Sequence, residues 1–135
     1  MRHKVISRKF GRSSSHRGNL LARLARCLIE EKRIVTTLCR AKAARSLAEK
    51  MVTLSRAGSL GARRRAAATL RCPDAAKVLF EQIAPHFQGR PGGYTRIIRL
   101  GARRGDNTEM AILEWVGISP ADKKKKPAPA SGDKK

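Results

Sequence analysis

Residues 94–116, YTRIIRLGARRGDNTEMAILEWV, contain the clearest structural signal in the chain. Two runs rich in β-branched or large apolar residues, 94–103 and 110–116, are separated by the turn-forming residues 104–108. This pattern predicts an antiparallel β-hairpin. Because side chains alternate between the faces of a strand, the residues of the first strand should divide into two sets on opposite faces. One face should carry Tyr94, Arg96, Ile98, Leu100 and Ala102, and the other Thr95, Ile97, Arg99 and Arg103.

The sequence upstream of the hairpin begins with helical periodicity. Apolar residues recur every three or four positions over about 18–32, which predicts an amphipathic helix. Ser15 or Asn19 could cap its start. The β-branched residues at 34–37 then predict a short strand.

Two more helices should follow this strand. The second should span about 38–57, with Gly58 at its C-terminal end. The third should span about 60–71, with Ser59 as its N-cap and Leu60 facing the core.

A fourth helix should begin at Pro73, and Pro85 should end or bend it. The predicted order is therefore helix, strand, three helices and hairpin, a two-layer α+β fold in which one sheet face meets the helices. We expect residues 1–17 to form a basic extension, 18–118 the folded core, and 119–135 a disordered, lysine-rich tail.

The charge of the chain indicates a polyanionic partner. Lys and Arg total 31 against 10 acids, a formal net charge of +21. Nucleic acid fits best, because each phosphate neutralised by a Lys or Arg releases a condensed counterion. A membrane is not expected as a partner, since the chain has no apolar run long enough to span a bilayer and no apolar secretory signal.

The sequence contains no signature of catalysis or metal binding. Its three histidines, at 3, 16 and 86, do not accompany a Cys or Ser in an activating pattern. Cys27, Cys39 and Cys72 form no CxxC pair, and HExxH, P-loop and GxGxxG motifs are absent. We expect no enzymatic activity, no cofactor and no metal. Sequence alone leaves open a carboxylate pair that assembles only in three dimensions.

The extension at 1–17 is the first candidate RNA-binding segment. It carries six Lys or Arg and no acid, and it has too little apolar material to fold alone, so we predict that it becomes ordered on RNA. A purely solubilising tail is the alternative. The candidate ligands here are Arg2, His3, Lys4, Arg8, Lys9, Arg12, Ser14, Ser15, His16 and Arg17.

Other candidates lie in the folded core. Arg63 and Arg64 belong to a run of three arginines that cannot all face a core, and a solvated helix face is their alternative. The segment 92–96 combines glycines, which allow close backbone approach, with a ring and phosphate donors. An ordinary loop with its tyrosine in the core is the alternative there. The candidates are Gly92, Gly93, Tyr94, Thr95 and Arg96, followed along the hairpin by Arg99, Arg103 and Arg104.

Aromatic residues are too sparse for a protein that stacks successive bases on a platform of rings. The pattern favours recognition of phosphates and of the shape of folded RNA. A free DNA-binding protein is a rival, although we find no helix-turn-helix spacing and no dimer seam. A basic RNA-processing enzyme is another.

Several short segments, taken together with their order and the distances between them along the chain, form a recognisable pattern. They are Met1-Arg2-His3, Ser13-Ser14-Ser15-His16-Arg17, Thr36-Thr37-Leu38 with Ala41-Lys42, Pro91-Gly92-Gly93-Tyr94-Thr95-Arg96-Ile97, Gly105-Asp106-Asn107 and Met110-Ala111. Together they resemble the bacterial large-subunit ribosomal protein 17 family over roughly residues 1–118.

This resemblance implies a structural protein of the large ribosomal subunit with a role in translation. It implies binding to large-subunit (23S-class) rRNA near the nascent-peptide exit tunnel, neighbouring ribosomal proteins that include protein 32, and a cytoplasmic location in the ribosome. No small-molecule substrate is implied. The family's basic N-terminal segment matches Arg2, His3, Ser14, Ser15, His16 and Arg17 here.

Two features depart from the family pattern. After Ala41-Lys42 the family commonly has an acid and then Leu, whereas this chain has Ala43-Ala44, so a local ion pair is in doubt. The lysine-rich tail after Ile118 lies beyond the family core, and its role is open. An organellar ribosome also remains open as the site of action.

Overall fold

A computed structural model of the chain describes residues 8–118. The α+β fold class and the predicted order of elements are confirmed. The elements are α1 (Ser14–Glu31), β1 (Arg33–Thr37), α2 (Leu38–Arg56), α3 (Leu60–Leu70), α4 (Pro73–Val78), a π-helical turn (Leu79–Ile83), a 3₁₀ turn (Ala84–Phe87), β2 (Thr95–Ala102) and β3 (Glu109–Trp115). The tail at 119–135 lies outside the described residues.

The three strands form one antiparallel sheet with β3 in the centre, in the order β1-β3-β2. One sheet face packs against the helices and buries Ala111, Leu113 and Trp115. The opposite face is open to solvent, and Val35 and Ile98 are exposed there. The sheet thus has one apolar, covered face and one free face, as antiparallel sheets often do.

The predicted alternation along β2 holds only as far as Arg99. The register shifts between Arg99 and Gly101, which are paired with Ala111 and Met110, so Leu100 is an extra residue in a β-bulge. Ala102 therefore does not share a face with Arg96, contrary to the prediction. Tyr94, also predicted on that face, precedes the strand and is buried.

Helix α1 begins at Ser14, four residues before the predicted start near 18. Ser13 occupies the N-cap position, and its side chain makes no capping hydrogen bond to the backbone, so the predicted caps are wrong. Ser14 and Ser15 are weaker helix formers than alanine or leucine, and the sequence pattern therefore assigned this first helical turn to the extension.

The end of α1 is held by Lys32, whose backbone adopts a left-handed conformation (φ 64°). Its ammonium Nζ donates to the carbonyl of Ile29 at 2.9 Å and to Oε1 of Gln82 at 3.3 Å. Burial lowers the pKa of Lys32, because desolvation disfavours the charged ammonium. These contacts join the end of α1 to the π-helical turn.

The boundary between α2 and α3 follows the prediction. Gly58 has a positive φ, and the Ser59 hydroxyl accepts a hydrogen bond from the backbone N–H of Ala62 at 3.1 Å. Leu60, predicted to face the core, is instead 65% exposed. The buried stripe of α3 is Ala62, Ala66 and Leu70, whose four-residue spacing places Leu60 on another side of the helix.

The fourth helix begins at Pro73 as predicted, and its helical form changes to 3₁₀ at Ala84, next to Pro85. A proline nitrogen cannot donate a helical hydrogen bond, so the regular ladder cannot continue through this position. Phe87, the last residue of the 3₁₀ turn, is buried in the core.

The core is organised around Trp115, at the end of the central strand. Its indole Nε1–H donates to the carbonyl of Leu28 at 2.9 Å, and its ring centroid lies 6.0 Å from that of Phe87. The Phe87 ring in turn lies 5.2 Å from the Tyr94 ring. Helix α2 approaches this cluster closely, because its buried face contains Ala41, Ala44 and Ala48.

Replacement of Trp115 should therefore have a graded effect on stability. We expect Trp115→Phe to lower the free energy of unfolding by about 1–2 kcal/mol, through loss of the indole hydrogen bond and some volume. Trp115→Ala should lower it by about 3–5 kcal/mol. Urea denaturation followed by circular dichroism measures both, and equal effects of the two variants would contradict this account.

Candidate nucleic-acid interface

Polar and basic side chains run along the exposed side of α2. Lys42, Ser46, Lys50 and Thr53 recur at spacings of four, four and three residues, and all are exposed. Arg45 lies beside them. We call Lys42, Arg45, Ser46 and Lys50 the α2 ridge. Since the opposite side of the helix carries the buried alanines, the ridge must face solvent or a partner.

A first groove separates the α2 ridge from the N-terminal part of the chain. Arg8, Phe10, Arg17 and Leu21 form its outer wall, and the inner wall is formed by α2 residues that include Lys42 and Lys50. Two residues of the predicted extension, Arg8 and Arg17, thereby lie beside two lysines that the sequence analysis did not select as ligands. The groove is basic at its rim and apolar at its base.

A second groove lies on the other side of the α2 ridge. Its far wall is the 91–94 segment, with Gly92 and Gly93, and its near wall again includes Lys42, Ser46 and Lys50. The two segments that the sequence nominated most strongly, the basic extension and the paired glycines, therefore flank the same helix face. A nucleic acid backbone in either groove would contact Lys42 and Lys50.

The paired glycines present an open backbone to this groove. No heavy atom lies within 4 Å of the position that a Cβ would occupy at Gly92 or Gly93, and Gly93 has a φ of +64°. The exposed peptide groups can be approached closely by a phosphate.

Arg56, in the last turn of α2, holds this loop in place. Its Nη1 donates to the carbonyl of Arg90 and to the hydroxyl of Tyr94, each at 3.1 Å, and its Nη2 donates to the carbonyl of Gln88 at 3.0 Å. Arg90 closes the loop by donating from Nε to the carbonyl of Gly92 at 3.2 Å. The Arg56 guanidinium thus holds residues on both sides of the glycine pair in place.

Tyr94 and Thr95 do not have the exposure that direct RNA ligands need. Tyr94 is 2% exposed, so its ring has no free face for base stacking, and the alternative that placed it in the core is the one the structure shows. Thr95 is 5% exposed, and its hydroxyl donates to Oε1 of Glu49 at 3.0 Å, the atom that also accepts from Nε of Arg45 at 3.1 Å. Both residues position the loop and the α2 ridge.

The remaining N-terminal candidates occupy the first turn of α1 and the residues before it. Lys9, Ser14, Ser15 and His16 are exposed, and Nε of Arg12 donates to Nε2 of His16 at 3.4 Å. They do not line either groove. Arg2, His3 and Lys4 fall outside the described residues.

The arginines of α3 lie apart from the α2 ridge. Arg63 and Arg64 are exposed and line neither groove. The Arg63 guanidinium carbon lies 5.2 Å from the centroid of the Phe80 ring, a cation–π distance. This contact fixes Arg63 beside the π-helical turn.

The hairpin arginines form a third group. Arg103 donates to Asp106 from Nε at 3.1 Å and from Nη2 at 2.6 Å, so the pair structures the turn, and this bond together with one from Thr108 lowers the pKa of Asp106. Arg99 and Arg104 are exposed near the same end of the hairpin.

Arg96 belongs instead to a row of three residues on the open sheet face. The register pairs Glu114 of the central strand with Arg33 on one side and Arg96 on the other. Nε of Arg33 donates to Oε2 of Glu114 at 2.6 Å, and Nε of Arg96 donates to Oε1. Burial alone would raise the pKa of Glu114, but the bonds and charges of both arginines outweigh it, so the pKa lies below its ordinary value.

Other kinds of site are not found in the part of the chain that the structure describes. Residues 8–118 contain no group of His, Cys, Asp and Glu that could hold a metal ion. Within the same residues, no helix has the length and apolar character needed to cross a membrane.

Comparison with known proteins identifies a family. Residues 20–116 match the family described as ribosomal protein L17. Similar proteins from Desulfotalea psychrophila, Methylacidiphilum infernorum and Azorhizobium caulinodans are 51%, 48% and 51% identical to this chain, and each is named large ribosomal subunit protein bL17. The alignments cover 87%, 93% and 86% of this chain and 91%, 96% and 84% of those proteins.

The Arg56 contacts lead to a prediction for the glycine loop. Arg56→Lys keeps the charge but cannot make all three bonds, so we expect the free energy of unfolding to fall by about 1–3 kcal/mol. The backbone N–H groups of Gly89, Arg90, Gly92 and Gly93 should also exchange faster with solvent in hydrogen-exchange mass spectrometry. Arg64→Lys is the control, and unchanged exchange in the Arg56 variant would contradict this role.

The Glu114 contacts lead to a prediction for acid stability. Because the folded pKa is depressed, the stabilisation is fully present above the ordinary value of 4.5 and is lost as the pH falls below it through the folded pKa. Glu114→Gln should therefore show a shallower loss of unfolding free energy below pH 4.5 than the wild type. Urea titrations across this range test it, with Glu109→Gln expected to retain the wild-type slope.

Proposed function

The chain belongs to the ribosomal protein L17 family, and on this premise we propose that it binds large-subunit (23S-class) rRNA and holds converging segments of it together. As a member of this family it is a structural constituent of the large ribosomal subunit, acts in translation and is not an enzyme. Its location is the ribosome, which is cytoplasmic in bacteria.

The observation that carries the rRNA-binding proposal is the convergence of two segments, the basic N-terminal segment and the paired glycines, on α2. Arg8 and Arg17 flank one side of the α2 ridge, and Gly92 and Gly93 flank the other. Lys and Arg neutralise phosphates, and open glycine peptides can donate N–H groups to phosphate oxygens. Two RNA backbones, one in each groove, would share the lysines of the ridge.

The arginines outside the ridge extend the proposed RNA surface to other sides of the molecule. Arg63 and Arg64 on α3, and Arg99, Arg103 and Arg104 on the hairpin, are exposed at places away from both grooves. Basic groups spread in this way suit a protein surrounded by RNA better than one that reads a single duplex.

We further propose a position near the nascent-peptide exit tunnel and contact with ribosomal protein 32, both of which follow from the family resemblance. Exposed Val35 and Ile98 on the free side of the sheet are compatible with a protein neighbour beside the RNA. Crosslinking within purified large subunits would test this contact.

The primary test of the function is sedimentation of a tagged copy from its native cells through sucrose gradients at moderate and high salt. Co-migration with large subunits and with whole ribosomes at both salt concentrations is expected. A protein that stays at the top of the gradient, or follows DNA after RNase treatment, would overturn the proposal.

The α2 ridge leads to a prediction for purified protein. The double variant Lys42→Gln, Lys50→Gln should bind a mixed-sequence RNA duplex about tenfold or more weakly than the wild type. The slope of log affinity against log salt should become shallower by about one per lysine. Lys77→Gln on α4 is the control for the loss of one charge, and an equal loss per lysine in that variant would show that net charge, not the ridge, determines binding.

A further inference from the structure

We propose, on the basis of the RNA-binding function proposed above, that Arg33, Glu114 and Arg96 form a phosphate clamp on the open sheet face. In this clamp the two guanidinium groups bind an RNA phosphate, and Glu114 positions them. The site lies on the opposite side of the sheet from α2, so it is separate from both grooves.

The register of the sheet builds this site. Arg33 and Arg96 stand directly opposite Glu114 on its two neighbouring strands. Adjacent strands lie about 4.8 Å apart, so two arginines flanking one central residue can reach the same point above the sheet. Each guanidinium engages a different oxygen of the carboxylate, Oε2 for Arg33 and Oε1 for Arg96.

The arginines keep most of their capacity to bind a ligand. The Glu114 side chain is 4% exposed, whereas those of Arg33 and Arg96 are 43% and 61% exposed. A guanidinium has five N–H donors in a rigid fork, and the carboxylate occupies only the inner ones. The remaining N–H groups, on side chains that Glu114 holds in place, are therefore available to a ligand.

Glu114 changes what the two arginines can do. Free arginine side chains lose rotamer freedom when they bind, and side chains held beforehand lose less. The carboxylate also offsets their mutual repulsion and leaves the three residues with a net charge of about +1, which suits one phosphodiester anion. An acid within an RNA-binding surface is therefore a positioning residue here and not a source of repulsion.

RNA is favoured over a protein carboxylate as the ligand because the partner of this chain is a polyanion. The chain carries a formal net charge of +21, and the hairpin that contains Arg96 also carries the exposed Arg99, Arg103 and Arg104. A phosphate on this face would also give the protein RNA contacts on opposite sides of its core, as expected of a protein that holds separate segments together.

The decisive variant is Glu114→Gln, because a repulsive role and a positioning role for Glu114 predict opposite changes in RNA affinity. If Glu114 were only a negative charge near RNA, its removal would strengthen binding of a mixed-sequence RNA duplex. If it positions the arginines, the affinity should fall about threefold to tenfold, since glutamine replaces one of the two accepting oxygens with an NH2 group that would face a guanidinium. Glu109→Gln, which removes an exposed charge from the same strand, is the control and should leave affinity unchanged or slightly higher.

The exposed arginines provide a second test in case the glutamine variant is less well folded. Arg33→Lys and Arg96→Lys keep the charge and lose the planar fork, so each should weaken duplex binding about threefold to tenfold. In nuclear magnetic resonance spectra of the wild type, inorganic pyrophosphate should shift the Nε–Hε signals of both arginines more than acetate does at equal ionic strength.

The outcomes separate this clamp from the proposed function. Wild-type affinity in Arg33→Lys, Arg96→Lys and Glu114→Gln would overturn the clamp. The proposed function would still stand if the double variant Lys42→Gln, Lys50→Gln bound RNA more weakly. Equal shifts with acetate and pyrophosphate would also overturn it and indicate a carboxylate of a protein neighbour. If the wild type did not bind RNA at all, the proposed function itself would fail.

Discussion

The hydrogen bond from the Trp115 indole to the carbonyl of Leu28 joins the last turns of α1 to the end of the central strand. The same region carries the turn at Lys32, whose carbonyl accepts from the backbone N–H of Trp115 at 3.4 Å. Because β3 pairs with both other strands, its position determines the register of the entire sheet. The row of Arg33, Glu114 and Arg96 exists only in that register.

A strongly basic chain must also form a core without burying its charges. Helix α2 meets this requirement with alanines on its inner face, which let the helix approach the sheet closely while its long basic side chains point outward. Buried Lys32 donates to a carbonyl and an amide oxygen, and exposed Arg56 donates to two carbonyls and to the hydroxyl of buried Tyr94. Packing and basic surface are thus assigned to different sides of the same helix.

Much of the fold could be predicted from sequence because it depends on local periodicity and on special residues. The hairpin, the Ser59 cap, the positive φ at Gly58 and the start at Pro73 follow from such rules. The bulge at Leu100 and the exposure of Leu60 could not be predicted, since they depend on which neighbours the strand and helix meet in three dimensions. Ser14 to Arg17 were assigned to an extension because weak helix formers there are helical only in continuation of α1.

The sequence identified the segments that form the candidate site, but it did not show how they are arranged around α2. The sequence nominated Arg8, Arg17, Gly92 and Gly93, yet gave no reason to place them around Lys42 and Lys50. A pattern of basic residues opposite the alanine stripe of α2 would have identified those lysines. The sequence could not show whether Tyr94 is a core residue or an RNA ligand, because an aromatic residue after two glycines is compatible with both. Only the structure shows that its ring is buried.

The bulge in β2 bears on how the protein survives before it reaches its partner. A free sheet face with aliphatic side chains and two open strand edges invites identical molecules to add strand to strand. On one edge, the irregularity at Leu100 interrupts the even spacing of hydrogen-bonding groups that such growth requires. The other edge, β1, has five residues and runs directly into α2. Both features should disfavour strand-to-strand association between copies that have not yet been assembled with a partner.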